Sequence, residues 1–319
     1  MPRPAPDRVK RVVSIGAGPI GAGWAAHFLA RGYDVTAYIH SMDEEPTFRK
    51  VLDTGWISLK ALGLAPGATR DRLRLTDNLK DATADAEFVQ ESAPERLDLK
   101  QALYETLGEL VPSDVVIASS TSGLMMSDIQ LKCATRERTV VGHPFNPPYL
   151  LPLVEIVGGA RTSPEAVQWT HDFYACAGKA PLVLKKEIPG FIATRLQEAL
   201  WREALHMVAN GEATPADIDT ALMNGPGPRI AIQGQCMAFH VACGAGGMAT
   251  NLDQFGPALK LPWSRLAAPE LTQELRDRMV DGCNAVAAGQ HFEALAAERD
   301  RAIVGILKAV AEARGPRAS

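Results

Sequence analysis

The chain of 319 residues has no long apolar run, no large excess of charge of either sign and no paired-cysteine spacing. Spanning a bilayer takes about 20 consecutive apolar residues, and no segment approaches that. The opening MPRPAPDRVKR is too short and polar for a signal peptide. A formal net charge of −4 gives no footprint for nucleic acid or another polyanion. The five cysteines, Cys133, Cys176, Cys236, Cys243 and Cys283, are odd in number and scattered without CxxC spacing. Reduced thiols are therefore expected, and no metal. Internal repeats and low-complexity blocks are also missing. With 46% hydrophobic and 22% charged residues, what remains is a globular chain large enough for two domains and expected in the cytoplasm.

The strongest signal lies near the N-terminus. Between Arg11 and Ile39, an apolar run of Val12, Val13 and Ile15 stops at Gly16, a helix-like pattern follows, and a second apolar segment begins after Gly32. Strand, turn, helix and strand are expected in that order. Gly16, Gly18 and Gly21 fit G-x-G-x-x-G, with Ala17, Pro19 and Ile20 at the variable positions. The first glycine permits a tight turn, the second lets a pyrophosphate approach the backbone, and the third lets helix and strand pack closely. The phosphates would rest on unpaired amides at the positive end of the helix dipole. A glycine-rich turn in an ordinary βαβ unit is the bland reading, and the placement between two strand-like runs favours dinucleotide binding. One part of the fingerprint is missing. An NAD site carries an acidic residue at the end of the second strand, about 20 residues on, but here Ile39, His40 and Ser41 occupy that place and no carboxylate comes before Asp43. NAD is the expected cofactor. NADP is the alternative, because His40, Ser41, Arg49 and Lys50 equally suit a 2′-phosphate.

Alternation continues downstream. A helix is expected over 43–64, a short strand from Leu73 to Leu75, a short helix from Asp77 to Ala84, and a strand starting at Phe88 that ends in Gln90-Glu91-Ser92-Ala93-Pro94-Glu95. Strand C-termini line the ligand crevice of a doubly wound sheet, which makes Glu91 and Glu95 either cofactor or substrate contacts or solvated surface carboxylates. A helix from Leu97 to Leu110 and a strand from Val115 to Ala118 lead into Ser119-Ser120-Thr121-Ser122-Gly123. That stretch suits a ligand loop, or helix capping by Ser122 or Thr121 worth about 1 kcal/mol. The strand from Thr139 to Gly142 is followed by His143-Pro144-Phe145-Asn146-Pro147-Pro148, whose three prolines are expected to hold the backbone away from sheet pairing. Glu155 then interrupts the apolar run Leu153 to Val157. A buried carboxylate needs a partner, and His143 is a natural one. The pair would make a general acid/base unit, with a structural histidine as the bland reading.

Near Pro189 the alternation gives way to helices alone, which places an α/β domain at 1–188 and an all-α domain at 189–319. In the second part Thr214 is expected as an N-cap with Pro215 at the first helical position. Gly225 to Pro228 is expected to be a loop that breaks the helix, and Gly244 to Gly247 a second break.

These motifs together resemble the 3-hydroxyacyl-CoA dehydrogenase superfamily. The likeness rests on GAGPIG at 16–21, SSTSGL at 119–124, GHPFNPPYLLPLVEIV at 142–157 and PGFIATRL at 189–196. More narrowly, WISLKALGLAPGA (56–68), FVQESAPERLDLK (88–100), EALWREALHMV (198–208) and QFGPALKLPW (254–263) resemble its L-carnitine 3-dehydrogenase branch. The resemblance implies a Rossmann-type domain, a helical domain that dimerises, and an active site in the cleft between them. It casts His143 as the base that takes the proton of a 3-hydroxyl, Glu155 as the residue that orients it, and Ser122 as a hydrogen-bond partner of the reacting oxygen. Asn146 resembles a residue near the nicotinamide; Glu91, Glu95, Lys100 and Ser120 align with cofactor-side positions. Thr194 stands where many relatives carry Asn in PGF-x-x-N-R. Ile230, Ile232 and Ala245 replace the aromatic and acidic residues expected around a trimethylammonium group, leaving Trp201, Phe239 and Trp263 as candidate cage walls. The expected reaction is nicotinamide-dependent oxidation of a small 3-hydroxy acid, with carnitine first. Another small 3-hydroxy acid, L-gulonate-like or 3-hydroxyacyl, is the alternative, and a non-catalytic, crystallin-like nucleotide binder is the contrasting class.

Overall fold

The computed structural model describes residues 3–314, apart from 258–260, 263, 266, 268 and 271. Two compact units divide the chain, Met1–Thr194 and Arg195–Ser319. In the first, β1 (Arg11–Ile15) leads to α1 (Pro19–Ala30) and β2 (Asp34–Tyr38) pairs parallel to β1. The alternation continues through α2 (Glu45–Leu62), β3 (Leu73–Thr76), α3 (Leu79–Thr83), β4 (Phe88–Glu91), α4 (Leu97–Leu110), β5 (Ile117–Ser119), α5 (Met126–Ile129) and β6 (Thr139–Pro144). The chain then turns back into β7 (Leu153–Gly158), antiparallel to β6, and passes through α6 (Pro164–Cys176) to β8 (Ala180–Val183), parallel to β7. A single sheet results, in the order β3-β2-β1-β4-β5-β6-β7-β8. The winding changes direction between β1 and β4, the switch point at which doubly wound sheets open a crevice beyond their strand ends.

Apolar residues on both faces of the sheet explain its burial. On one side Trp24 and Phe28 of α1 meet Trp169, Phe173 and Tyr174 of α6, with the Phe88 and Phe173 rings 4.2 Å apart. On the other, Val13, Val89, Ile117 and Val141 lie under Tyr104 and Leu107 of α4. The second unit is helical: α7 (Ala193–Ala209) starts at the end of the first unit and is followed by α8 (Pro215–Asn224), α9 (Pro226–Ala242), α10 (Gly247–Phe255), α11 (Gln273–Ala287) and α12 (Phe292–Arg314). Among the described residues no helix is long and apolar enough to cross a membrane.

Several local expectations are corrected. The prolines do not keep His143 out of the sheet: β6 runs on through Pro144, and His143 and Pro144 pair with Glu155 and Val154. A proline in the last residue of a strand removes one ladder donor and leaves its carbonyl in place. The helix expected at 43 starts at Glu45, after a 3-10 turn of Met42–Glu44 capped by the Ser41 hydroxyl. Only Gly225 breaks the chain between α8 and α9, because Pro226 fits the first turn of a new helix. Thr214 forms a full capping box with Asp217.

The connection from β6 to β7 is held by a buried lysine. Lys179 Nζ donates to the carbonyls of Pro148 and Leu151, the latter at 3.2 Å, and lies 4.9 Å from the centre of the Trp24 ring. Tyr149 packs so closely on Gly23 and Gly55 that a Cβ on Gly55 would come within 2.9 Å of its ring. Burial, followed by the Arg31 guanidinium, pulls the Lys179 ammonium down to about 7. Because the unfolded lysine stays near ~10.4, the unfolded chain holds more protons between those values, and stability should rise with pH across that window. The unfolding midpoint of the wild type should therefore climb relative to that of Lys179→Met between pH 7 and 9, at up to ~1.4 kcal/mol per pH unit. Parallel thermal-denaturation curves for the two proteins would contradict the assignment.

Candidate active site

The turn from β1 into α1 explains its glycines one by one. Gly16 has φ 115°, a left-handed conformation, and a Cβ there would meet the Ser92 carbonyl at 2.5 Å. A Cβ on Gly21 would meet the Gly16 carbonyl at 2.1 Å. Gly18 is different, since it has an ordinary φ of −70° and nothing lies within 4 Å of its Cβ position. Internal packing accounts for the first and third glycines; the second leaves open space at a helix N-terminus that no side chain caps. Such a cradle fits the diphosphate of a dinucleotide. Pro19 and Ile20 form the first helical positions beside it.

The residues expected around that turn divide into two groups. Ile39 is fully buried, so its side chain belongs to the core, and its amide donates to Thr76 O at 3.1 Å. His40 and Ser41 remain at the surface end of β2, and the Ser41 hydroxyl accepts from the Asp43 amide. Glu91 and Lys100 turn on each other inside the protein: Nζ to Oε1 is 2.6 Å, and Glu91 also accepts from the Ala93 amide and the Ser119 hydroxyl. A buried ion pair with its acceptors committed in this way holds the strand ends together, leaving no side-chain atom for a ligand. The Ser120 hydroxyl is likewise engaged, with Trp24 Nε1 at 3.2 Å, Gln90 Nε2 at 2.8 Å and Ser92 Oγ at 2.8 Å.

Glu95 has a role that its sequence position did not reveal. Its Oε1 accepts from the Thr121 hydroxyl at 2.6 Å and from the Ser122 and Gly123 amides at 3.0 and 3.2 Å. It fixes the turn that carries Ser122, whose side chain is exposed at the C-terminal end of β5. The capping alternative for this loop is not what forms, since the residue before α5 is Met125, with no side-chain cap.

His143 and Glu155 stand directly opposite across β6 and β7. Nδ1 of His143 lies 2.9 Å from Glu155 Oε2; the histidine is nearly buried and the glutamate fully so. Glu155 Oε1 accepts from the amides of Ile192 and Ala193, each at 2.9 Å. Burial pushes this carboxyl up, but the His143 hydrogen bond, the two amides and the imidazole charge together outweigh it and leave it below its ordinary value. An ionised carboxylate only accepts, so Nδ1 carries a proton and donates to it, and in the neutral imidazole the lone pair lies on Nε2. The amides are delivered by the turn at Gly190 and Phe191, where Phe191 has φ 52° and is buried with its ring 5.4 Å from the His143 ring. A non-glycine residue in that region is strained unless its surroundings hold it there.

Asn146 is exposed on the connection after β6, and Thr194 closes the first unit, one residue beyond Ala193. Trp201 on α7 and Phe239 on α9 belong to the second unit and are about half exposed, 47% and 45%. Ile230 and Ala245 are exposed in the same unit, and α9 also contains Ile232. Trp263 lies outside the described residues.

A glycine cradle at the switch point of a doubly wound sheet, with a histidine and carboxylate paired at neighbouring strand ends, defines a Rossmann-type dehydrogenase. Residues 11–188 match the family model described as the 3-hydroxyacyl-CoA dehydrogenase NAD binding domain, and residues 190–281 match the C-terminal domain of the same family. The L-carnitine dehydrogenase of Streptomyces coelicolor is 58% identical over 96% of each chain, and that of Pseudomonas putida 47% identical over 95% of this chain and 94% of its own. Among solved structures, an NAD+-dependent dismutase described as FHMPC 5-dehydrogenase superposes with a TM-score of 0.78 at 31% identity, covering 95% of this chain and 98% of that one. The chain belongs to the 3-hydroxyacyl-CoA dehydrogenase family, whose members are NAD-dependent dehydrogenases.

The glycine geometry separates folding from binding. Gly18→Ala should fold with an unchanged melting temperature and weaken NAD binding, whereas Gly21→Ala should lose roughly 1–3 kcal/mol of stability through its clash with the Gly16 carbonyl. Paired melting and cofactor-titration measurements check both, and equal melting losses would refute the division.

Proposed function

We propose that this protein oxidises the 3-hydroxyl of a small 3-hydroxy acid, with L-carnitine as the first candidate, giving the 3-keto acid. The observation that carries the reading is the buried His143–Glu155 pair, 2.9 Å apart at the end of β6. The turn Gly16–Gly21 would hold NAD, which when bound would supply the two-electron acceptor for the hydride that leaves C3. His143 Nε2 takes the hydroxyl proton, and Glu155 holds the imidazole in the required tautomer and offsets its positive charge. Ser122, on the turn fixed by Glu95, donates a hydrogen bond to the reacting oxygen, and Thr194 offers a second polar contact. Asn146, exposed on the connection after β6, would serve the nicotinamide end of the cofactor. Return of the proton from Nε2 serves the reverse reaction.

The carnitine choice is supported by relatives at 45–58% identity that carry that name. Trp201 and Phe239 offer aromatic faces, the surfaces that bind quaternary ammonium best. The aliphatic Ile230 and Ile232 favour a second reading, a different small 3-hydroxy acid. NAD reduction followed at 340 nm across a panel of carnitine, gulonate, 3-hydroxybutyrate and its CoA ester decides between them, and turnover of another acid without carnitine would remove the first. His143→Asn should cut kcat by roughly 10²–10⁴-fold while NAD affinity stays. An undiminished rate would remove His143 from the chemistry, and no turnover of any acid by the wild type would favour the non-catalytic class.

The protein is further proposed to be a homodimer through its helical unit. That unit leaves Leu196, Leu200, Met223, Leu252 and Phe255 at least half exposed, more apolar surface than a solitary helical unit tends to leave in water. Sedimentation equilibrium should give twice the 34.2 kDa chain mass; a monomer at micromolar concentration would oppose the proposal.

A further inference from the structure

The strand-end carboxylate that NAD sites use is missing from Ile39, yet the structure returns one to the same place from further along the chain. Glu44, at the end of the 3-10 turn Met42–Glu44, folds back so that its Oε2 accepts from the His40 amide at 3.0 Å. The Ile39 amide faces β3, where it donates to Thr76 O at 3.1 Å, and the Tyr38 carbonyl faces β1, where it accepts from the Gly16 amide at 2.9 Å. The His40 amide comes two residues after that Tyr38 carbonyl, just beyond the end of β2 and beside the strand end that holds the glycine turn. The Glu44 carboxylate that caps it is therefore held at the end of β2, on an amide two residues along the chain from the carbonyl that anchors Gly16.

The geometry points to Glu44 as the residue that selects NAD over NADP, by accepting the adenosine ribose hydroxyls and repelling a 2′-phosphate. A carboxylate has about four acceptor sites, so one amide leaves room for hydroxyls. Its charge opposes a phosphate at the same position. The basic residues that might have served a phosphate do not offset this: Arg49 is bound to Glu45 at 2.6 Å, one turn along α2, and Lys50 also has a partner. His40 and Ser41 remain as hydrogen-bonding neighbours at the rim.

This inference rests on the NAD reading above, and calorimetric titration of NAD+ and NADP+ separates the two. Wild type should bind NAD+ more tightly than NADP+ by roughly 10- to 100-fold. Glu44→Gln keeps an oxygen to cap the His40 amide, so it should melt like the wild type. It should also lose most of that ratio, chiefly by tighter NADP+ binding, while Glu45→Gln leaves the ratio where it was. An unchanged ratio in Glu44→Gln overturns the assignment and leaves NAD binding intact. So does a ratio that moves only with Asp43→Asn, or a wild type that binds NADP+ equally well. If neither dinucleotide binds the wild type, the NAD reading itself falls, and the role of Glu44 with it.

Discussion

A negative charge enclosed by protein governs the arrangement of the first unit. Glu155 has no access to water, and its ionised form persists only because an imidazole and two backbone amides reach it. Each contact comes from a different piece of structure: His143 from the neighbouring strand, the amides from the turn at Phe191. Removing one partner of a buried charge leaves the other uncompensated, at a cost of several kcal/mol. The register of β6 on β7 and the left-handed conformation of Phe191 are thus two faces of one electrostatic requirement.

Other buried polar groups act at one remove. Lys179 ties down the backbone between β6 and β7, Glu91 and Lys100 join β4 to α4, and Glu95 gathers the turn after β5. Tyr174 donates to Gln90 at 2.5 Å, and Gln90 in turn donates to Ser120, linking α6 through β4 to that same turn.

Much of this could be read from the sequence where chemistry and period coincide. The glycine triplet between two apolar runs located β1, α1 and β2, and a glutamate inside an apolar strand drew attention to a partner such as His143. Other features depended on register and burial, which local patterns do not encode. Nothing near Pro144 shows that pairing extends as far as that residue, since the opposing strand decides that. Glu91 and Lys100 carry charges that look ligand-directed until the packing of α4 encloses them. Glu44 lies five residues beyond Ile39, and only the 3-10 turn Met42–Glu44 returns it to the strand end. The segment holding α6 and β8 gave no motif to follow, although Lys179 within it proves central.

The amides that serve Glu155 belong to residues 192 and 193, which has a practical consequence for dissection of the chain. A fragment stopped at residue 188, where the alternating pattern ends, would include the glutamate and discard two of its three donors. A fragment carried through Thr194 would retain them. Anyone excising the nucleotide-binding half for crystallisation or labelling should cut after the first residues of α7, because that helix begins inside the first unit and the amides at its start complete a carboxylate's solvation shell.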